Sequence, residues 1–434
     1  MKNIVSISLK YDKIYNLKCM IVNDNNTLYD YTSECKDKYF LENLLYNNTV
    51  FVFDIKYFIK YLINKNINFD INKIDDLKLI TNLTENRQNI NINYYTQSKN
   101  YVDSFSKLNS FIKIFKDDYI NYIPFYILKE ICSVESKIIN DNIIIYNNEY
   151  YKNIKKYLLS LSLCELNGIK ITDNSIKNIN GYIYPLYNYD SSRTGRLNNT
   201  YPINLQNLSE NDEIRKKLIS RFENGLILHA DWNSIDLRVA FAIAEENINS
   251  DDLHKTIAEI IYNKEIDDED RKKIKEINFG ILYSSSLKTI SEKLNIPIDE
   301  VKLIYKKVFE KFPKLFNLIK SNNEAVKESG HVYSYFGRKR NLNSDEYTKF
   351  FNSKIQMTSS DICYRAIDSI IEKTKNLKSK LIPYIVFDKL ALDVHKEEKN
   401  IIEKIVIESM SFDAPGNLTN FVNFPIKIEY KTTL

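Results

Sequence analysis

Hydrophobic and polar positions along the first 82 residues switch between two periods. "NIVSISL", "YNLKCMIV" and "TLYDYT" alternate as short strands do, and "TVFVFD" is a continuous apolar run suited to a buried strand. "KDKYFLENLLY" and "IKYFIKYLINK" carry apolar residues three and four apart, the period of an amphipathic helix. "DLKLITNL" fits either a strand or a helix start. This alternation predicts a small α/β unit. Residues 83–100 lack an apolar period and predict a loop. Residues 101–168 return to a helical period, broken at "NDNIIIYNN", and residues 169–207 are rich in turn formers. From residue 222 onward the pattern is strand, helices, then a strand hairpin.

One predicted helix has an unusual face. In "EDRKKIKEINFGILYSS" (269–285), Arg271, Lys275, Phe279 and Tyr283 follow one another at four-residue steps. Such steps drift by only ~40° each, so the four side chains share one face, while Ile274, Ile277 and Ile281 turn toward a core. The stripe reads cation, cation, aromatic, aromatic. Its length of roughly 12 Å from Arg271 to Phe279 suits a triphosphate, a sugar and part of a base. An ordinary amphipathic helix with a solvated basic edge fits the same residues. Two aspartates stand out as well. "LILHADWNSIDLRVAFAIA" (226–244) is an apolar strand ending at Asp231 and turning into a helix. "LIPYIVFDKLALDV" (381–394) reads as two strands joined by a tight turn at Asp388–Lys389. Carboxylates at strand tips can converge, and Mg²⁺ prefers such oxygen ligands while leaving positions for phosphates. Each Asp could equally be a turn former.

Composition narrows the class. The chain has 434 residues, which predicts two or three domains, and 44% hydrophobic with 27% charged residues is ordinary globular usage. A net charge of +4 is too mild to mark a surface basic throughout, so any nucleic-acid site must be a local patch. The five cysteines (Cys19, Cys35, Cys132, Cys164, Cys363) are scattered and form no C-x-x-C pair. They argue against a zinc site or a disulfide frame and suit a reducing compartment. No run of 18 apolar residues occurs, and the N-terminus lacks a signal-peptide core, so a cytoplasmic protein without membrane contact is expected. The heavy use of Asn, Ile, Lys and Tyr is most simply the mark of an AT-rich genome.

"HADWNSIDLRVAFAIA", "RKKIKEINFGILYS" and "IVFDKLALDV", in this order, resemble the three polymerase motifs of family A DNA polymerases, the bacterial polymerase I type. "SRTGRLNNTYPINLQNLS", "SDDLHKTIAEIIY", "ESGHVYSYFGRKR" and "FFNSKIQMTSSDICYRAI" resemble further segments of that family, so the likeness covers about residues 181–434. The fold it implies is a multidomain α+β and α/β chain. An antiparallel-sheet palm (181–245 and 330–434) and helical fingers (246–329) would follow a helical connector (101–180) and an N-terminal RNase H-like unit (1–100) of the exonuclease type. The activity it implies is DNA-directed DNA polymerisation with two Mg²⁺ ions, Mn²⁺ being a substitute, at Asp231 and Asp388. By resemblance, Arg271, Lys275 and His254 would grip the triphosphate, Phe279 would stack on sugar and base, and Tyr283 would sit by the templating position. Asp236 would help exclude ribose. Arg196, Gln206, Asn352 and Gln356 would touch primer–template in the minor groove, and Arg338 and Arg340 of "GRKR" would meet phosphates. The implied partners are primer–template DNA, dNTPs, and a processivity factor or other replication proteins. The host would be a bacterium or a phage-infected cell, or the site an organelle.

The sequence departs from the family at several points. Phe387-Asp388-Lys389 stands where His-Asp-Glu is usual, Asp236 stands for Glu, and Trp232 for Tyr. Only Ser175–Asn180 lie between the segments that normally flank the thumb, so the thumb is expected to be missing or replaced. The N-terminal unit lacks an Asp-x-Glu pair on its first strand, and Asp54, Asp75 and Asp76 match later family positions only weakly, which predicts a non-catalytic scaffold. Two rival readings remain open on these departures. One is a polymerase-shaped protein that binds nucleic acid without catalysis; the other is a polymerase with altered template or sugar choice.

Overall fold

The computed structural model describes residues 3–11, 17–24, 27–30, 37–52, 55–76 and 149–434, apart from 174, 190, 210, 284, 344–345 and 347–348 in the last range. The chain forms two compact units, Met1–Leu166 and Asn167–Leu434. The predicted connector helices before residue 149, the segment 77–100 and Asp54 lie outside the described residues.

In the first unit, strands β1 (Asn3–Tyr11), β2 (Leu17–Asp24), β3 (Thr27–Asp30), β4 (Asn48–Val52) and β5 (Ile74–Asp76) form one sheet in the order β3-β2-β1-β4-β5. The first three pair antiparallel, while β4 and β5 are added in parallel. Parallel addition needs a crossover, and helices α1 (Lys38–Asn47) and α2 (Ile55–Asn64) stand at those crossovers. Asp37 caps α1, accepting the Tyr39 amide at 2.8 Å. Ile55, Phe58, Ile59 and Leu62 of α2 are fully buried, as the helical period requires. The long helix α3 (Glu149–Asn167) brings further polar groups into this unit. Its Lys155 reaches Asp75 at 2.7 Å, and its Glu165 pairs with Lys56 at 2.5 Å and with Lys60. All of these charges are buried together, so each needs its partner.

The second unit is built on a four-stranded antiparallel sheet, β14 (Lys380–Val386), β15 (Lys389–Val394), β11 (Leu226–Trp232) and β16 (Ile426–Lys431), in that spatial order. Smaller strands precede and interrupt it: β6 (Ile169–Ile171), β7 (Tyr182–Ile183), β8 (Leu186–Asn188), β9 (Asn198–Tyr201), β10 (Leu218–Ile219), β12 (His331–Tyr333) and β13 (Lys339–Asn341). One sheet face packs through Ile227, Ile382 and Ala391 against Ile169, Ile183 and Leu218 of the small sheet β10-β6-β7. β6 pairs directly with β7 (Ile169↔Ile183, Lys170↔Tyr182), and in the segment between them Ile179 bridges to Tyr182.

Helix α4 (Glu213–Lys216) is a single turn, and α5 (Ile235–Ile243) follows β11. A cluster of helices comes next: α6 (Leu253–Tyr262), α7 (Asp268–Tyr283), α8 (Leu287–Leu294) and α9 (Ile298–Lys311), with α10 (Pro313–Ser329) leading back toward the sheet. The 25-residue α11 (Phe350–Thr374) packs on β14 and α5 and also touches α7, and α12 (Lys399–Glu408) flanks it. Ile274, Ile277 and Ile281 of α7 are buried while Arg271, Lys275, Phe279 and Tyr283 are half-buried, as the four-residue spacing requires. No helix among the described residues is long and apolar enough to cross a membrane.

Candidate active site

Cross-strand register brings the two aspartates together. β11 pairs with β15 from Leu226↔Val394 to Asp231↔Lys389, and one residue on, the Trp232 amide donates to the Asp388 carbonyl at 3.4 Å. Asp231 at the end of one strand and Asp388 in the adjoining turn are therefore near neighbours across the sheet. The turn itself is one residue earlier than the sequence pattern suggested. Phe387 and Asp388 form it, with Phe387 in the left-handed region at φ 56°, and Lys389 is already the first residue of β15. Ser234, which starts α5 just after Asp231, is left-handed as well (φ 59°). Non-glycine residues in this conformation carry roughly 1–2 kcal/mol of strain and cluster where geometry is over-determined by function. Here they bracket both aspartates.

The electrostatics match that proximity. Burial, and then the Asp231 charge, push Asp388 up to about 7. Burial also raises Asp231, opposed by Lys389 and Lys427. Two carboxylates that resist joint ionisation form a sink for a cation of higher charge. The donor set is all hard oxygen, which suits Mg²⁺ or Mn²⁺ and not a soft metal. Among the described residues no group of three or more His, Cys, Asp or Glu is placed to hold a metal ion, so remaining ligands must come from backbone, solvent or a phosphate-bearing substrate.

A cavity of about 290 Å³ opens beside Asp388, lined by it and by Phe387, Asp236, Phe279, Tyr283 and Cys363 among others. Asp236, on the first turn of α5, is only 7% exposed and forms the hub of its wall. It accepts hydrogen bonds from Tyr283 Oη (2.7 Å), Arg196 (2.8 Å) and Ser359 Oγ (2.6 Å). These three donors come from α7, the loop before β9 and α11, so one carboxylate ties the helical cluster to the sheet. Burial and then Asp236 hold the Tyr283 phenol well above its ordinary range, so it stays protonated and donates. Tyr283 stacks on Phe279 (5.7 Å, 19°), and Lys275 lies over the Phe279 ring at 5.7 Å. Arg271 is held by Asp252 at 2.7 Å. The predicted stripe is thus a continuous surface from cations to rings.

His254 sits behind that stripe, 2% exposed, against Asn278 (3.1 Å) and edge-on to Phe279. Burial, then Arg271 and Lys275, push it down to about 4, so it is neutral at physiological pH; its buried Nε2 has no hydrogen-bond partner among the described residues. Asn352 and Gln356 are half-buried one turn apart on α11, and neither side chain makes a hydrogen bond among the described residues. Gln206 is an internal staple, donating to the carbonyls of Leu197 (2.9 Å) and Ile385 (3.4 Å).

The placement of Arg338 and Arg340 requires a correction. Neither guanidinium faces solvent. Arg338 is bound to Asp361 through Nε and Nη2 at 3.1 and 3.0 Å, and Arg340 to Ser353 (2.6 Å) and Glu346 (3.1 Å). Gly195 makes room for the first: a Cβ there would meet Arg338 Cζ at 2.3 Å, and its φ of +74° suits glycine. Both guanidinium groups are committed to carboxylates inside the fold. Ser359 and Cys363 were missed as site residues. With Asn352 and Gln356 they occupy positions i, i+4, i+7 and i+11 of α11, one helical face, and that spacing was the available signal.

The sequence model of "DNA polymerase family A" matches residues 128–433. DNA polymerase I of Caldicellulosiruptor bescii is 31% identical over 256 residues, which is 53% of this chain and 30% of that protein. The thermostable DNA polymerase I of Thermus aquaticus is 26% identical over 252 residues, again 53% and 30%. The chain therefore spans about a third of the length of these relatives. Among solved structures, the POL domain of Pol1 from M. smegmatis, in complex with DNA primer-template and dNTP, matches with a TM-score of 0.73 at 15% identity, covering 99% of this chain and 95% of that one.

Proposed function

The chain belongs to DNA polymerase family A, and from that premise we propose that it is a DNA-directed DNA polymerase, adding deoxynucleotides to a primer 3′ end. The observation that carries this reading is the approach of Asp231 and Asp388 across two neighbouring strands, beside a cavity walled by Phe279 and Tyr283. In this reading Asp231 and Asp388 would hold two divalent ions, which when bound neutralise charge on the attacking and leaving oxygens of an in-line phosphoryl transfer.

The protein's own residues do the remaining work. Arg271 and Lys275 bind the triphosphate and offset the charge that grows on the departing pyrophosphate. Phe279 receives the base and sugar on its face. Tyr283, fixed by Asp236, stands by the templating position, and Asp236, a shorter acid than the usual Glu, alters the room left for a 2′-hydroxyl. Asn352 and Gln356 offer amide donors to minor-groove acceptors, which lie at similar places in every base pair and so suit an enzyme that must accept all sequences. Duplex and dNTPs are the partners, and a processivity factor is a further one.

Proofreading is not part of the proposal. In the first unit, Asp75 is engaged by Lys155 (2.7 Å) and Tyr151 (3.0 Å), and Asp76 accepts the Ile55 amide at 3.4 Å, so both carboxylates are occupied inside the fold. This supports an exonuclease-like scaffold without 3′→5′ activity. A binding protein without catalysis is the alternative, and the Lys389 ammonium beside Asp231 favours it. Primer extension with Mg²⁺ decides: the native chain extends a DNA primer and Asp231→Asn lowers the rate at least ~10³-fold, in line with loss of an essential electrostatic group. Equal inactivity of both proteins would leave the binding reading standing.

A further inference from the structure

Asp231 lies between two lysines. In register it faces Lys389 on β15 and Lys427 on β16, and directly opposed residues of antiparallel strands project from the same sheet face. Lys427 is drawn aside by Glu429, at 2.5 Å. Lys389 is not: its ammonium stands 3.7 Å from Asp231 Oδ2, with both side chains about one third exposed. Their pairing is fixed by the tight Phe387–Asp388 turn, which starts β15 at Lys389.

We propose that Lys389 is a resident counter-ion of Asp231 that keeps the nucleotide-free protein from binding a divalent cation tightly there. The pair is too exposed for its attraction to hold against a metal brought in on a triphosphate, whose negative charge adds to that of the two aspartates. The metal would then arrive with the nucleotide instead of waiting for it. Lys389 is on this account a positioning and gating residue for metal, and not a catalytic one.

This inference rests on the proposed metal site but not on polymerase activity. Mn²⁺ alone, titrated into the full chain without DNA or nucleotide and followed by electron paramagnetic resonance, reads it. Removing one positive charge beside a dication predicts about tenfold tighter Mn²⁺ binding in Lys389→Gln and more in Lys389→Glu, while Lys389→Arg stays near the native value. Adding Asp231→Asn to Lys389→Glu must abolish the gain. Unchanged or weaker binding in Lys389→Gln, or a gain that survives Asp231→Asn, would overturn the proposal. Thermal melts of the variants report folding, and primer extension by the native chain reports the polymerase reading separately.

Discussion

At the scale of single residues, Asp388 carries the clearest pH signature. An unfolded aspartate titrates near 3.8, whereas burial and Asp231 push Asp388 up to about 7 in the fold. Between those values the folded metal-free chain holds a proton that the unfolded chain has lost. The stabilising difference is present at low pH and is lost as pH rises toward and through 7. Asp388→Asn is therefore expected to be about 4 kcal/mol more stable than the native chain at pH 8 without metal, and nearly equal at pH 4, by urea unfolding. A native chain as stable as the variant at pH 8 would remove the argument for a strained carboxylate. Ser359 gives a second expectation. Without its hydroxyl, Asp236 keeps two donors of three, so Ser359→Ala should lower the dNTP-over-rNTP ratio of kcat/KM about fivefold, the equivalent of one hydrogen bond of ~1 kcal/mol. The strand-end positions of Asp231 and Asp388 and the shared face of Arg271–Tyr283 were legible because strand ends and four-residue steps are local patterns, while their proposed roles came only from the family resemblance. Arg338 and Arg340 misled because their partners, Asp361 and Glu346, are set by packing that a basic run does not reveal.

Among the elements, α7 carries both the Arg271–Tyr283 stripe and the contact that holds the helical cluster. Gly280 stands on its inner side, where a Cβ would meet Ile290 Cδ1 at 2.2 Å on α8 and Tyr305 Oη at 2.7 Å on α9. Alanine would gain up to ~1 kcal/mol of helix propensity, but overpacking of this kind costs ~1–3 kcal/mol. Gly280→Ala should therefore melt earlier and raise the KM for dNTP, because the stripe shifts with its helix. An unchanged melting point and KM would mean the interhelical gap closes without consequence. Element types were readable in advance where the period was long: α1, α2, α7 and the β11, β14 and β15 strands follow their apolar patterns. The hairpin turn was misjudged by one residue because Asp-Lys looks like a better turn than Phe-Asp. The structure instead accepts a left-handed Phe387, which sets Lys389 opposite Asp231. A one-residue change of register inverts which side chains face the site, so this detail decided the chemistry.

For the whole molecule, no helix stands between β6 and β7 among the described residues, at the place where the resemblance leads one to expect a missing or replaced thumb. Duplex retention should then be poor, and a product-length assay with a DNA trap is expected to give extensions of a few nucleotides per binding event, shortening as salt weakens phosphate contacts. Long products from the isolated chain would show that another part of it grips the duplex. The chain parts into compact units at Leu166/Asn167, whereas the sequence pattern put boundaries at residues 100 and 180, so this division was not legible in advance. The interior of the first unit, with Lys56, Lys60 and Lys155 buried on carboxylates, was not either, since pairing partners there are up to 109 residues apart. The central claim is that Asp231 and Asp388 jointly hold divalent ions against a nucleotide triphosphate. Crystals of the chain with primer–template, a non-hydrolysable dNTP and Mn²⁺ test it through anomalous scattering. The account predicts manganese peaks bridging both carboxylates and the phosphates; peaks elsewhere, or none with nucleotide bound, would contradict it.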